Sequence, residues 1–411
     1  MSDFFESEIN TEGIKNAEMV VCIPSYNEAD SIRYPTGQAD KGLAKYFRDI
    51  TSVIINCDNN SPDGTKEAFL NTPTKAPKIY ISTPPGTKGK GNNFRNLFQK
   101  VVDLNAKAVV VVDADLKSIT PEWIKHLGEP LLSDFSYVAP LYVRHKYDGT
   151  ITNGIAYPMT RALYGRRVRQ PIGGDFGFSG DLAAVYLNTK IWDSSIANFG
   201  IDIWMTTLAI NQQIHICQSF MGRPKIHRTK DPGEDLGPMF RQVIGTIFSM
   251  MTDFKEVWTK IKYSRPTAIY GFGLGEVESP PNVEVDTNNL LKKFHDGFEQ
   301  YSSLWKKLLL DDVYKKTIEI KNMNKNEFNF PTDLWARVLF DMAIAYHKNT
   351  VDRALMIDSL VPLYFGRTLS FVKKTRRMSI KQAEEAIEED CMTFELTKPY
   401  LIKRWNEKVD T

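Results

Sequence analysis

The chain of 411 residues holds only four cysteines, Cys22, Cys57, Cys217 and Cys391, scattered without CxxC spacing. Cys22 and Cys57 sit inside apolar, strand-like runs, so buried reduced thiols in a cytoplasmic protein are expected rather than a disulfide framework. Charge of one sign is equally scarce, because 52 basic residues face 50 acidic ones for a net +2. Nucleic acid is therefore not an expected partner. No uninterrupted stretch approaches the ~20 apolar residues of a membrane span, so none is expected. The opening MSDFFESEINTEG lacks a basic segment followed by an apolar one, and no signal peptide is expected. A Walker loop of the form GxxxxGKS/T is missing, as are internal repeats and low-complexity tracts. What is present is ordinary globular material, 42% hydrophobic and 25% charged. Its length suits two domains.

The stretch that organises this material is 109–115, four valines running into Asp113-Ala114-Asp115. A short β-branched run reads as a strand buried on both faces of a parallel sheet. Acids at its carboxyl end then enter the crevice where open α/β sheets take ligands. On an extended backbone Asp113 and Asp115 leave the same face, which suits a hard cation, Mg²⁺ or Mn²⁺, carrying phosphates. A strand end with solvated acids competes with that reading.

Further strands are expected at 19–23 (MVVCI), 52–57 (SVIINC), 78–82 (KIYIS), 136–143 and 215–220. Loops bearing functional-looking residues follow them: Pro24 to Glu28, then Asp58 to Thr65, then a glycine- and lysine-rich loop containing Lys90. That last loop either approaches a diphosphate or is a flexible basic turn. Strands alternating with helices predict an α/β class with a Rossmann-like, mostly parallel sheet. The arginines of 159–169 read chiefly as the solvated face of a helix. Gly173-Gly174-Asp175 suggests backbone packed tightly against a ligand, and Asp202 is either functional or the cap of an apolar helix. His227 is either a third metal ligand or a satisfied histidine. After about residue 231 the apolar spacing turns helical, in five segments between 239 and 394, with 271–282 as the most linker-like stretch. The expected domains are 1–235, catalytic, and 236–411, α-helical.

With those residues in view, the sequence resembles the retaining, metal-dependent glycosyltransferases that make mannosylglycerate and their relatives acting on 3-phosphoglycerate, enzymes of the GT-A fold. The segments that carry the resemblance are DADLKSITPEW at 113–123, QPIGGD at 170–175, residues 143–145, 200–203 and 225–228, and FNFPTDLW at 328–335. The resemblance implies that Pro24, Glu28 and Asp58 border the nucleotide base, that Lys90 contacts the donor diphosphate, and that Asp113 meets the ribose or the metal shell. It implies Asp115 and His227 as ligands of Mg²⁺ or Mn²⁺. Arg144 and Thr152 match positions that hold a glycerate acceptor, and Asp202 an acid near it. Asp175 stands where the family usually has Glu, and Lys230 where an aromatic residue contacts the acceptor. The implied reaction moves a hexose from GDP-mannose, favoured over UDP-glucose, to D-glycerate or a close relative, with 3-phosphoglycerate and glucosylglycerate as alternatives.

The chemistry agrees with that implication. A divalent cation at Asp115 neutralises charge developing on a diphosphate leaving group. The acceptor hydroxyl can attack from the face that the diphosphate leaves, so no protein nucleophile is needed; in a double displacement the candidates are Asp175 and Asp202. A nucleotidyltransferase is disfavoured, because Pro24 to Glu28 stands where its glycine-rich loop belongs. A non-catalytic nucleotide-sugar-binding homologue is disfavoured by the presence of both Asp115 and His227. A homo-oligomer, a dimer, is expected from the apolar faces of the helical part.

Overall fold

The computed structural model describes residues 5–226, 237–271 and 278–407. Its strands are β1 (Ser7–Ile9), β2 (Met19–Ser25), β3 (Ser52–Asp58), β4 (Lys78–Ser82), β5 (Ala108–Val111), β6 (Tyr137–Val143), β7 (Phe176–Ser179), β8 (Ile216–Pro224) and β9 (Ala268–Tyr270). The first helices are α1 (Arg33–Tyr46), α2 (Thr65–Leu70), α3 (Lys90–Asp103), α4 (Pro121–Gly128), α5 (Tyr157–Tyr164), α6 (Gly180–Asn188) and α7 (Ile201–Asn211). Then come α8 (Gly237–Asp253), α9 (Lys255–Trp258), α10 (Thr287–Leu308), α11 (Asp311–Lys321), α12 (Thr332–His347), α13 (Arg353–Thr375) and α14 (Ile380–Asn406). The chain packs as two units. The first comprises Met1–Arg144, Val168–Thr229 and Thr267–Pro281; the second comprises His145–Arg167, Lys230–Pro266 and Asn282–Thr411. Relative to a cut at 235/236, the second unit reaches back for a short segment and the first reaches forward for one.

The first unit is a sheet ordered β1-β4-β3-β2-β5-β7-β6-β8-β9. All its strands share one direction except β1 and β7, which run antiparallel to their neighbours. This is the mostly parallel α/β architecture that the sequence predicts. Every residue of β2 is buried, as the apolar run requires of a strand flanked by parallel partners. From β2 the chain crosses by α1 to β3 on one side, and from β4 by α3 to β5 on the other. The order therefore reverses between β2 and β5, opening a crevice at their carboxyl ends. On one face of the sheet Trp123 of α4, fully buried, packs 5.6 Å from the Tyr142 ring. Elsewhere in the unit Phe98 of α3 joins Phe178, Tyr186 and Trp204 in one aromatic cluster. The cysteines are buried thiols, with Cys22 and Cys57 facing each other across β2 and β3.

The second unit is helical. Its packing corrects one expectation. The arginines of 159–169 are not a solvated face: Arg161 is 2% exposed and Arg169 is also buried. The Arg161 guanidinium donates to Glu388, Glu395 and the Ser264 hydroxyl, so the charge is matched inside the unit. Helix α13 is long and apolar enough to cross a bilayer by length and composition alone, but 78% of its apolar window is buried inside the protein. Helices α10 and α13 approach closely because Gly297 lies against Pro362 and Gly366 against Phe294, leaving no room for a Cβ.

Lys398 of α14 is 4% exposed and donates to the Ile261 carbonyl at 2.6 Å. Burial, only partly offset by Glu395, pushes its pKa down to about 8. The folded state then binds fewer protons than the unfolded chain between that value and the ordinary lysine range, so stability should rise with pH across this window. Unfolding in urea at pH 7.5 and pH 10 should show the protein gaining on its Lys398→Met variant, by at most about 3 kcal/mol. An unchanged difference would refute the shift.

Candidate active site

The crevice at the β2/β5 switch point is lined by two connected polar systems. The first begins at Asp58, which is wholly buried at the end of β3. Its carboxylate accepts from the Ser25 hydroxyl (2.7 Å), the Ser61 hydroxyl (2.7 Å) and amide (2.6 Å), and the Tyr80 hydroxyl (3.0 Å). The loop after β3 is thereby tied to the end of β2, where Pro24 is also buried. Burial and the Asp58 carboxylate push the Tyr80 phenol well above its usual range. The neighbouring Glu28 is tied the same way: its amide donates to Thr65 Oγ1 at 2.9 Å and its carboxylate accepts from Ser31. Asn59 extends the brace to α3, accepting from the Gly89 amide and donating to Asn93. Pro24, Glu28 and Asp58 are thus one braced wall.

The second system is a chain of alternating charges. Asp113 Oδ1 lies 3.1 Å from Lys90 Nζ and its Oδ2 lies 2.8 Å from Lys225 Nζ. Lys90, at the first position of α3, also stands 3.2 Å from Asp202 Oδ1, while Lys225 stands 2.9 Å from Asp175 Oδ2. The order is Asp202, Lys90, Asp113, Lys225, Asp175. Tyr142 closes the far end, donating its hydroxyl to Asp175 and to the Gly173 carbonyl. The Arg144 guanidinium lies 5.1 Å from the centre of the Tyr142 ring, a cation–π distance.

Topology explains the convergence. β7 runs antiparallel to β5 with Phe176 opposite Val111, so Asp175, the residue before β7, falls opposite Val112 and next to Asp113. Accordingly Asp175 accepts from the Asp113 amide at 2.9 Å. β8 is parallel to β6 with Pro224 opposite Val143, which sets Lys225 beside Arg144 at two strand ends. Gly174, at φ +86°, leaves the space that the Asp113–Lys225 pair fills.

Three carboxylates face two ammoniums here, and their environments divide them. Burial works against a charge on Asp113, but the two lysines beside it hold its carboxyl well below the usual range. Burial raises Asp202, and the single ion pair to Lys90 does not restore it. Lys225 is buried and Lys90 partly so, yet their carboxylate partners keep both pKa values above the ordinary lysine value.

Several expectations change. β5 ends at Val111 and Asp115 lies in a turn, so the extended-strand argument that aimed Asp113 and Asp115 to one side does not hold. Asp202 does not cap its helix: α7 starts at Ile201 after Gly200, with no side-chain cap bond, and the Asp202 carboxylate turns to Lys90. Gly89 and Gly91 make room for the backbone of 196–198, and Gly174 for an ion pair, so packing within the protein already requires glycine at these positions. Thr152 is buried at the start of a π-helical turn in the second unit. His227 and Lys230 lie outside the described residues. Among the described residues no three His, Cys, Asp or Glu side chains converge as a metal site. Asp115 is partly exposed at the rim, which suits a cation whose other ligands are substrate oxygens and water. Sequence reasoning missed Lys225 and Tyr142 as site residues. The one available signal was Lys225 itself, a basic residue directly after the end of β8.

Gly174→Ala should break this site, because the new methyl would displace the Asp113–Lys225 pair at a left-handed backbone position. A loss of about 1–3 kcal/mol is expected in urea unfolding. Unchanged stability would show that the pair can shift freely.

Residues 20–184 match the family model described as glycosyl transferase family 2. The chain is similar to a mannosylglycerate synthase of Selaginella moellendorffii, 22% identical over 190 residues, covering 43% of this chain and 44% of that one. It is also similar to a mannosylglycerate synthase of Rhodothermus marinus, 26% identical over 173 residues, covering 39% and 42%. The match thus spans less than half the length of these relatives. Among solved structures, a glucosyl-3-phosphoglycerate synthase from Mycobacterium tuberculosis in complex with Mg²⁺ and UDP shares 23% identity. It covers 57% of this chain and 79% of that one, at a TM-score of 0.45. The matched span runs from β2 into α6 and takes in Lys90, Asp113, Asp115, Arg144 and Asp175, so the similarity to glycosyl transferase family 2 covers the strands and helices that build the crevice.

Proposed function

We propose that the protein is a metal-dependent, retaining glycosyltransferase that moves a hexose from a nucleotide sugar, GDP-mannose in preference to UDP-glucose, to D-glycerate or a close relative. The observation that carries the reading is the alternating charge chain at the β2/β5 switch point of a sheet similar to glycosyl transferase family 2. Mannosylglycerate synthases as partial relatives support the acceptor class.

The charge balance supports a metal. Both lysines are already matched by carboxylates, so a nucleotide diphosphate needs further positive charge to settle beside them. Asp115 and His227 would hold Mg²⁺ or Mn²⁺, which when bound supplies Lewis-acid neutralisation of the leaving diphosphate. Lys90 presents the ammonium nearest the crevice. Pro24, Glu28 and Asp58 shape the base-side wall, Asp58 indirectly, since protein donors occupy its oxygens. Asp175 is wholly buried with both oxygens bonded, so its role is to position Asp113 and Lys225 rather than to attack a sugar. Asp202 is held by Lys90, with Oδ1 at 3.2 Å, and in this reading it is the acid near the acceptor hydroxyl. Arg144 and Thr152, with Lys230, are the acceptor residues of this reading. The acceptor oxygen attacks the anomeric carbon on the face that the diphosphate leaves, and a diphosphate oxygen takes its proton, so configuration is retained.

The test is a grid of GDP-mannose and UDP-glucose against glycerate, 3-phosphoglycerate and glucosylglycerate with Mg²⁺ or Mn²⁺, reading released nucleoside diphosphate. Turnover is expected with GDP-mannose and glycerate. Turnover only on a phosphorylated or glucosylated acid would move the acceptor assignment, and silence throughout would end the proposal. Asp115→Ala should abolish turnover. Arg144→Ala should raise the acceptor KM by roughly ten- to a hundredfold, the worth of a charge-assisted hydrogen bond. Equal loss of donor binding in both variants would contradict this division of roles.

A further inference from the structure

The longest helix in the chain, α14 with 27 residues, buries one side and leaves a narrow stripe in solvent. That stripe is Glu385, Glu389, Met392, Leu396, Pro399 and Lys403, all exposed. Their spacing of four, three, four, three and four is a heptad rhythm, which places them in line along one helix face. Its centre is apolar, with Met392 at 55% and Leu396 at 79% exposure, the latter the most exposed large hydrophobic among the described residues. One end is acidic and the other basic. Around residue 394 the stripe is complementary to itself: Met392 is as far from that point as Leu396, Glu389 as Pro399, and Glu385 as Lys403.

We infer that this face pairs with the same face of a second copy of the chain, antiparallel about a two-fold axis at residue 394. Isologous contacts require a patch complementary to its own rotated image, and this one is. The axis brings Met392 against Leu396 of the second copy and sets Glu385 against Lys403 twice, whereas a parallel pairing would oppose like charges. Glu389 is already paired with Lys374 at 3.1 Å within its own chain, so the register depends on the Glu385 and Lys403 pairs. Beside the helix stands Tyr263, 66% exposed, on a loop fastened to α14 by Ser264 on Glu395 and Lys398 on the Ile261 carbonyl. One helix pair with this flank lies at the small end of stable interfaces, so the dimer should dissociate in the micromolar range.

The test is sedimentation velocity on the full chain over a concentration series reaching about 100 µM, where a micromolar dimer is populated. The unaltered protein should show a monomer–dimer equilibrium. Met392→Glu with Leu396→Glu should abolish it while leaving circular dichroism and the melting temperature unchanged, since both side chains are exposed. Glu385→Lys alone should weaken the dimer roughly tenfold by opposing lysines at two symmetric places. Adding Lys403→Glu should restore it. A protein that stays monomeric throughout the series, a double glutamate variant that still dimerises, or a charge swap that fails to rescue would each overturn the inference.

Discussion

The site depends on one carboxylate shared by two ammoniums. Asp113 sits between Lys90 and Lys225 and is the one carboxylate that both share, while Asp202 and Asp175 each serve one of them. The three groups arrive from three directions: the end of β5, the start of α3 and the end of β8. Each ion pair is therefore also a tertiary constraint, fixing the α3 helix start and the 224–226 segment against the centre of the sheet. Asp175 completes the arrangement by holding the Asp113 backbone and Lys225 at once.

The direction of a single strand makes this possible. Had β7 run parallel to β5, the residue preceding it would lie at the amino edge of the sheet, far from Asp113. Because β7 is antiparallel, its entry lies at the carboxyl edge, and the two glycines before Asp175 fit there without side chains. The sheet thus gains a buried acid beneath the crevice at the β2/β5 switch point, bonded to the Asp113 amide and to Lys225.

The helical unit uses charge differently. Arg161 and Lys398 bind α14 to the 261–264 loop and α5 through buried polar contacts, and Gly297 and Gly366 let α10 and α13 meet at close range. With its inner side committed to these contacts, α14 has only its outer stripe left to meet another molecule. The same helix therefore ties the unit together and offers it a surface for assembly.

The sequence by itself determined the elements. Apolar runs of β-branched residues located β2, β3, β4 and β5, and helical spacing located α8, α10, α12, α13 and α14, because these periodicities follow from burial of one face or two. It also picked out Lys90, Asp113, Asp175 and Asp202, since charged residues at strand ends and helix starts stand out against apolar runs. Only the tertiary structure decided what those residues do to one another. The partners of Asp113 are 23 and 112 residues away, and no local pattern encodes such a pairing. Lys225 went unseen for that reason, the buried arginines read as surface, and what the glycines make room for was hidden until the backbone and ion pair beside them were in view. Local periodicity reports which way a side chain faces; what it faces depends on strand order and direction, which are properties of the assembled sheet.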